Sequence, residues 1–401
     1  MKALPRLLVL ALGLSSVATG LLCAAGPAPK PLYRDPVYDG AADTVLTWDA
    51  GAKQWLMFYT NRRANVPGLS GVAWVHGTPI GIAASTDGGN TWTPAGNAKI
   101  EIPEEICGRE PTYWAPEVIA GENGVHHMIL TVVPGIFEDW KHPRTLVHLT
   151  SRDLRTWSNA KVLRLSGDRL IDACLLRLDD GTWRLWYNNE RDGKSIYYAD
   201  SKDLETWVEG GKVVADQAGE GPKVFRWKGS YWMITDVWRG LAVYRSDDAL
   251  KWTRQAGGNL VEQPGKGTDD GVVGRHADVV LNGDRAFLFY FTHPGHVLPK
   301  ATRPALEDRR SSIQVAELKF ADGKLSCDRD AELRVELGSG QGQGQGQGQG
   351  RDPAIRRQCL TLDPARRVKS QALTSCSDGR LLRHISCLPR ESSAQRPGAV
   401  G

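Results

Sequence analysis

The chain has 401 residues, 41% of them hydrophobic and 24% charged, with a formal net charge of +4 at pH 7; it is long enough for one large or two ordinary domains and too apolar to be disordered throughout. The positive excess sits in residues 1–30 and 351–401, so residues 31–350 are mildly acidic and carry no basic stripe, which argues against nucleic acid as a partner. No apolar run reaches the ~20 residues that a membrane helix needs.

Residues 1–25 open with Lys2 and Arg6, continue through the apolar stretch Leu7 to Leu12 and end in small residues around Cys23. That three-part pattern reads as a secretory signal, and the mature protein is expected to be secreted or periplasmic. From residue 26 to Leu337, short apolar or aromatic runs alternate with Gly, Asp and Asn turns and show no helical periodicity. Gln54 to Thr60, Thr182 to Tyr187, Ser230 to Thr235 and Arg285 to Phe291 are such runs, and Asp180-Gly181, Lys228-Gly229 and Gly283-Asp284 precede three of them. The pattern predicts an all-β domain.

An internal repeat narrows the architecture. A Ser, an Asp two residues on and a Trp recur as Ser85/Asp87/Trp92, Ser151/Asp153/Trp157, Ser201/Asp203/Trp207 and Ser246/Asp248/Trp252, with Trp-to-Trp intervals of 65, 50 and 45 residues. Such periods predict propeller blades of four antiparallel strands, and a fifth unit without the motif runs from Arg275 to Leu318. The repeated Ser and Asp should cap a tight turn between outer strands while the Trp packs between blades, a structural role. Residues 338–401, with their Gln-Gly alternation and Arg- and Ser-rich end, read as a disordered tail. Among the seven Cys, only Cys107, Cys174 and Cys327 fall in the body, as one disulfide plus a thiol or as three thiols, and no spacing resembles a zinc site.

In a propeller the first strand of each blade lines the central axis, so a polar residue at its start points into a shared funnel. Asp43, Glu117, Asp172, Glu220 and His276 each precede an apolar strand at blade-length gaps. Carboxylates converging on one cavity push their pKa values apart, which acid and base catalysis of glycosidic cleavage requires. Asp35 is a rival to Asp43 in the first blade.

These residues carry a resemblance to the five-bladed propeller glycoside hydrolases of families 43 and 117, over roughly residues 31–325. The resemblance implies a blade-one Asp as general base, here Asp43. It implies a blade-three Asp that tunes the acid, here Asp172 in Ile171-Asp172-Ala173, and a general acid Glu opening blade four, here Glu220 in Glu220-Gly221-Pro222. Trp114 and Glu117 resemble a Trp-Ala-Pro-Asp element near the sugar, and His276 resembles an axial His that often holds a central ion or water. Arg62, His76, Trp238, Arg239 and Arg275 are further substrate-binding candidates: rings suit sugar faces and guanidinium suits an anionic sugar. No cofactor is required; a structural Ca²⁺ near His276 is compatible with the resemblance, though no ligand set follows from spacing. The implied activity is hydrolysis of a plant or algal saccharide, exo-acting and inverting. A non-catalytic carbohydrate-binding propeller and a sialidase-like hydrolase are the rival readings; the second lacks a convincing Arg triad and nucleophilic Tyr.

Overall fold

The computed structural model describes residues 26–296 and 305–340. The expected signal segment, nearly all of the expected tail and its cysteines Cys359, Cys376 and Cys387 lie outside the described residues. Five antiparallel sheets follow one another along the chain, each a meander of neighbouring strands. Their inner strands are Ala41–Asp49, Thr112–Ala120, Leu170–Arg177, Glu220–Trp227 and Arg275–Asn282. Each inner strand touches the next and the fifth touches the first, so the sheets close into a five-bladed propeller. Every blade has four antiparallel strands, as expected, and blade two adds a short fifth, Lys99–Ile100, parallel to Thr156–Val162.

The Ser/Asp/Trp motif does what its chemistry predicts. Ser151 Oγ donates to Asp153 Oδ1 (2.9 Å) and accepts the Leu154 N–H (2.9 Å), while Asp153 Oδ1 accepts the N–H groups of Arg155 and Thr156 (2.8 and 2.7 Å). Blade three repeats this through Ser201 and Asp203, and blade four repeats its Asp half through Asp248. The caps hold Leu154, Leu204 and Ala249 in the left-handed region (φ 57°, 61° and 59°), which these residues seldom adopt unaided. Each Trp then packs on the preceding blade: Trp157 meets Phe58 edge-on at 5.9 Å and Trp252 meets Trp186 at 6.3 Å. Truncating the fully buried Trp157 to Ala should cost about 3–5 kcal/mol. Blade five lacks the motif and turns instead through Asp322-Gly323, both at positive φ, a two-residue hairpin.

After Cys327 the chain returns to blade one. Arg329 forms a buried ion pair with Asp270 and donates to the carbonyls of Gln263 and Val272 (2.6 and 2.9 Å). Val335 N–H donates to Asn90 Oδ1 (3.1 Å), and Leu333, Val335 and Leu337 are buried between the first and last blades. Trp55 Nε1 donates to the Gly338 carbonyl (2.8 Å), and Gly340 lies so close to Trp48 that a Cβ there would come within 2.2 Å of it. Packing therefore runs at least three residues past the boundary expected at 337. Cys107, Cys174 and Cys327 are all free thiols.

Candidate active site

The site rests on a defect repeated five times. At the head of every inner strand the register against the second strand slips: between Ala42 and Val45, Trp114 and Glu117, Ile171 and Cys174, Glu220 and Lys223, and Arg275 and Ala277. Such bulges bend the strand and re-aim a side chain. Four bulge residues adopt positive φ: Asp43 (49°), Ala115 (41°), Asp172 (57°) and Gly221 (57°). Gly221 has a second reason to be glycine, because a Cβ there would lie 2.6 Å from the His276 ring. The end of the second strand in one blade pins the bulge of the next. Thr60 Oγ1 accepts the Ala115 N–H (2.8 Å), Thr131 Oγ1 accepts the Asp172 N–H (3.1 Å), Asn188 Nδ2 donates to the Gly219 carbonyl, and Asp236 Oδ2 accepts the His276 N–H (3.2 Å).

This brings Asp43, Asp172, Glu220 and His276 together at one end of the axis, with Asp236 as a fourth carboxylate that the sequence reading missed. Arg62 Nη2 donates to both oxygens of Asp43 (3.0 and 2.9 Å), and His276 Nδ1 lies 3.5 Å from Asp43 Oδ1. Burial works against the Asp43 charge, but Arg62 and His276 outweigh it and hold the carboxyl far below its ordinary range. Asp172 Oδ2 accepts the Gly221 N–H (3.0 Å); burial, reinforced by the Glu220 and Asp43 charges and opposed by His276, pushes Asp172 up to about 7. Asp236 is raised to about 6 by burial against the pull of Arg275. His276, although burial disfavours its charge, is raised to about 9 by Asp43 and Asp172. Glu220 is the accessible member, its side chain 25% exposed, and accepts hydrogen bonds from Trp238 Nε1 (3.3 Å) and Lys194 Nζ (3.0 Å).

One step further along the inner strands lies a different layer. Lys223 Nζ bridges Glu117 (3.1 Å) and Asp278 (2.8 Å); both carboxylates are buried and the lysine is partly buried. Glu117 also accepts the Leu175 N–H (3.1 Å) and Asp278 the Leu46 N–H (2.8 Å), so three blades are tied to the carboxylates of two others. Glu117, expected beside the sugar, is thus an axial salt-bridge residue beneath the funnel. Asp35, the rival to Asp43, caps a turn: its carboxylate accepts the Val37 and Tyr38 N–H groups (3.0 and 2.6 Å) and the Tyr59 hydroxyl (2.7 Å).

The other expected contacts divide. Trp238 meets Glu220, and Arg275 acts on Asp236. Arg62 is spent on Asp43 and on His293 Nε2 (3.1 Å), so it orients the carboxylate and is not free for a sugar. His76 is fully buried, packed edge-on between Trp114 (5.1 Å) and Phe137 (5.7 Å), and burial lowers it to about 4; it is a core imidazole, not a sugar contact. Trp114 is buried too, donating to the Val75 carbonyl (2.6 Å), and only Trp140 of this cluster is open, at 51% exposure. Arg239 is exposed, and only its carbonyl is engaged, by Asn259 Nδ2 (2.7 Å). His276 Nδ1 faces Asp43, and no group of three or more His, Cys, Asp or Glu among the described residues is arranged to hold a metal. Asp236 carried one signal in the sequence, for it closes the hairpin partner of the Glu220 strand, opposite Glu220 itself.

Residues 69–238 match the sequence pattern of glycosyl hydrolases family 43. The fold is similar to that of a thermostable family-43 glycoside hydrolase (TM-score 0.55, 19% identity, covering 75% of this chain and 97% of that one). It is also similar to a family-43 β-1,3-galactosidase crystallised with galactodeoxynojirimycin (0.54, 17%, 76% and 98%). A third similar structure is the family-43 enzyme of Xanthomonas citri complexed with xylotriose (0.53, 14%, 77% and 95%). No match was found among curated proteins. Fold and match define the class that the chain is similar to: it is a five-bladed β-propeller that resembles the glycoside hydrolases of family 43 over residues 69–238. The match carries the family-43 part of the expected resemblance; the family-117 part stays an expectation.

Proposed function

We propose that the protein is an exported, exo-acting, inverting glycosidase of plant or algal saccharides, with Asp43 as general base, Glu220 as general acid and Asp172 as the group that tunes the acid. The observation that carries the reading is the convergence of these three carboxyls, from three separate blades, on one end of the axis with His276 among them.

Each environment suits its role. Arg62 and His276 keep Asp43 ionised, so it can take a proton from the water that attacks the anomeric carbon. Glu220, the most accessible carboxyl, protonates the departing glycosidic oxygen, whose bond to carbon takes the electron pair as it breaks. Asp172, pushed up by burial against the pull of His276, ties the acid's strand through the Gly221 N–H, and its carboxylate charge beside Glu220 favours a proton on the acid. After turnover Asp43 holds a proton that Glu220 lacks, and exchange with solvent restores the site.

A screen of purified protein against xylo-, arabino-, galacto- and uronate-containing oligosaccharides, with the first-formed anomer followed by NMR, tests this. Release of a single terminal sugar with inverted configuration is expected. Retained configuration would remove Asp43 as base, and unchanged turnover in Glu220→Gln would favour the carbohydrate-binding propeller instead.

A further inference from the structure

Glu220 does not stand alone at the mouth of the funnel; a chain of alternating charges leads to it from two blades away. Arg144, a buried residue beside the third strand of blade two, ion-pairs with Glu190 and lies over the Trp114 ring at 5.5 Å. Glu190 lies just beyond the second strand of blade three and also accepts from Lys194 Nζ (2.7 Å), one helical-turn spacing along the same loop. Lys194 then donates to Glu220 Oε2 (3.0 Å), with its ammonium 5.2 Å from the centre of the Trp238 ring. Trp238 Nε1 holds the other oxygen of Glu220 (3.3 Å). Every atom of the acid carboxyl is therefore fixed, one oxygen by an indole and one by an ammonium.

We propose that Lys194 is a positioning residue for the general acid, suspended between Glu190 and Glu220, and that it sets the alkaline limit of activity. The proposal rests on Glu220 acting as the acid. A cation 3.0 Å from a carboxylate favours the ionised form, whereas an acid catalyst must hold a proton. Glu190 relieves that conflict, because a second carboxylate 2.7 Å from the same ammonium competes for it. The Lys194 ammonium has two acceptors and one cation–π face, so it can lean toward Glu190 when a leaving-group oxygen takes its place at Glu220. Arg144 in turn fixes Glu190, which makes the relay a property of the loops and not of the catalytic strand. The groups facing this pair are Asp172 and Asp236 from the neighbouring inner and second strands, Trp238 above, and Glu190 with Arg144 behind it.

Two substitutions should move the profile in opposite directions. In Lys194→Met the alkaline limb of kcat/KM is expected to shift up by about one to three pH units, the range over which a neighbouring opposite charge moves a carboxyl. In Glu190→Gln the ammonium is left to Glu220 alone, and the limb should shift down. Lys194→Arg, which keeps the cation, should leave the limb close to its wild-type position. Uniform losses of activity with the limb unmoved in both variants would reduce Lys194 to scaffolding and overturn the proposal, whereas a wild-type enzyme with no turnover, or an active Glu220→Gln, would overturn the reading beneath it. Circular dichroism and thermal unfolding of each variant separate a misfolded protein from an informative one.

Discussion

Two layers of buried charge share the axis of this propeller, and they are built to opposite ends. In the lower one, Glu117, Lys223 and Asp278 neutralise each other and draw on backbone N–H groups of neighbouring strands. In the upper one, Asp43, Asp172, Glu220 and Asp236 crowd around His276, and their pKa values are driven apart: Asp43 down, Asp236 up to about 6, Asp172 up to about 7. A satisfied network stiffens a closure; an unsatisfied one stores reactivity. The same kind of residue does both, separated by one bulge in the inner strand.

The contrast breaks most sharply at the upper layer. Glu220→Gln and Asp43→Asn should each lower kcat/KM by about 10²–10⁴, the usual weight of a general acid or base; thermal unfolding should be nearly unchanged in Glu220→Gln, whereas Asp43→Asn also loses stability because it leaves the partly buried Arg62 without its carboxylate. Loss of fold together with activity in Glu220→Gln would mean that the upper carboxyls are structural after all. At the lower layer the effects should exchange. Lys223→Met leaves two buried carboxylates facing each other, and the expected cost is about 3–5 kcal/mol of stability, read by denaturant unfolding. A variant as stable as the parent would show that the lower network is not what ties the inner strands.

A pH series sharpens the distinction. His276 is raised from 6.5 to about 9 on folding, so the stability it contributes is fully present below pH 6.5 and lost as pH rises through 9. Asp172, raised to about 7, makes a loss of the same sign at lower pH, whereas Asp43, held low, contributes fully throughout this range. The apo protein should therefore melt at lower temperature at pH 9 than at pH 6.5, and His276→Asn should flatten that fall. A melting temperature that climbs across this window in the parent would contradict the assigned charge states.

What was legible in the sequence was what repeats locally. The Ser/Asp/Trp turn closes within four residues of its own chain, so its spacing marked four blades, and the strand pattern from Arg275 to Leu318 supplied the fifth. The acids Asp43, Asp172 and Glu220 were legible because blade-length gaps put Asp43 and Asp172 at equivalent bulge positions and Glu220 one residue ahead of its own bulge. The groups that complete the site are not local: Asp236 and Asn188 act on the next blade, and Lys194 reaches Glu220 from a loop 26 residues earlier. Only closure of the ring makes them neighbours. Glu117 misled for the same reason, since it lies two residues past Ala115, the blade-two counterpart of Asp43 and Asp172, and so falls in the buried layer.

That error yields the smallest and most diagnostic prediction. Glu117 is raised by burial and by the nearby Asp278 charge, with Lys223 opposing. Neutralising it in Glu117→Gln leaves Lys223 paired with Asp278, and the amide oxygen can still accept the Leu175 N–H. The expected loss is about 1 kcal/mol, the scale of a single hydrogen bond, against the several kcal/mol of Lys223→Met. Because Glu117 lies below the funnel, kcat/KM should stay within about twofold of the parent, the change expected where no interaction made only in the transition state is lost. A tenfold fall at unchanged stability would place this carboxylate back against the sugar and merge the two layers into one site.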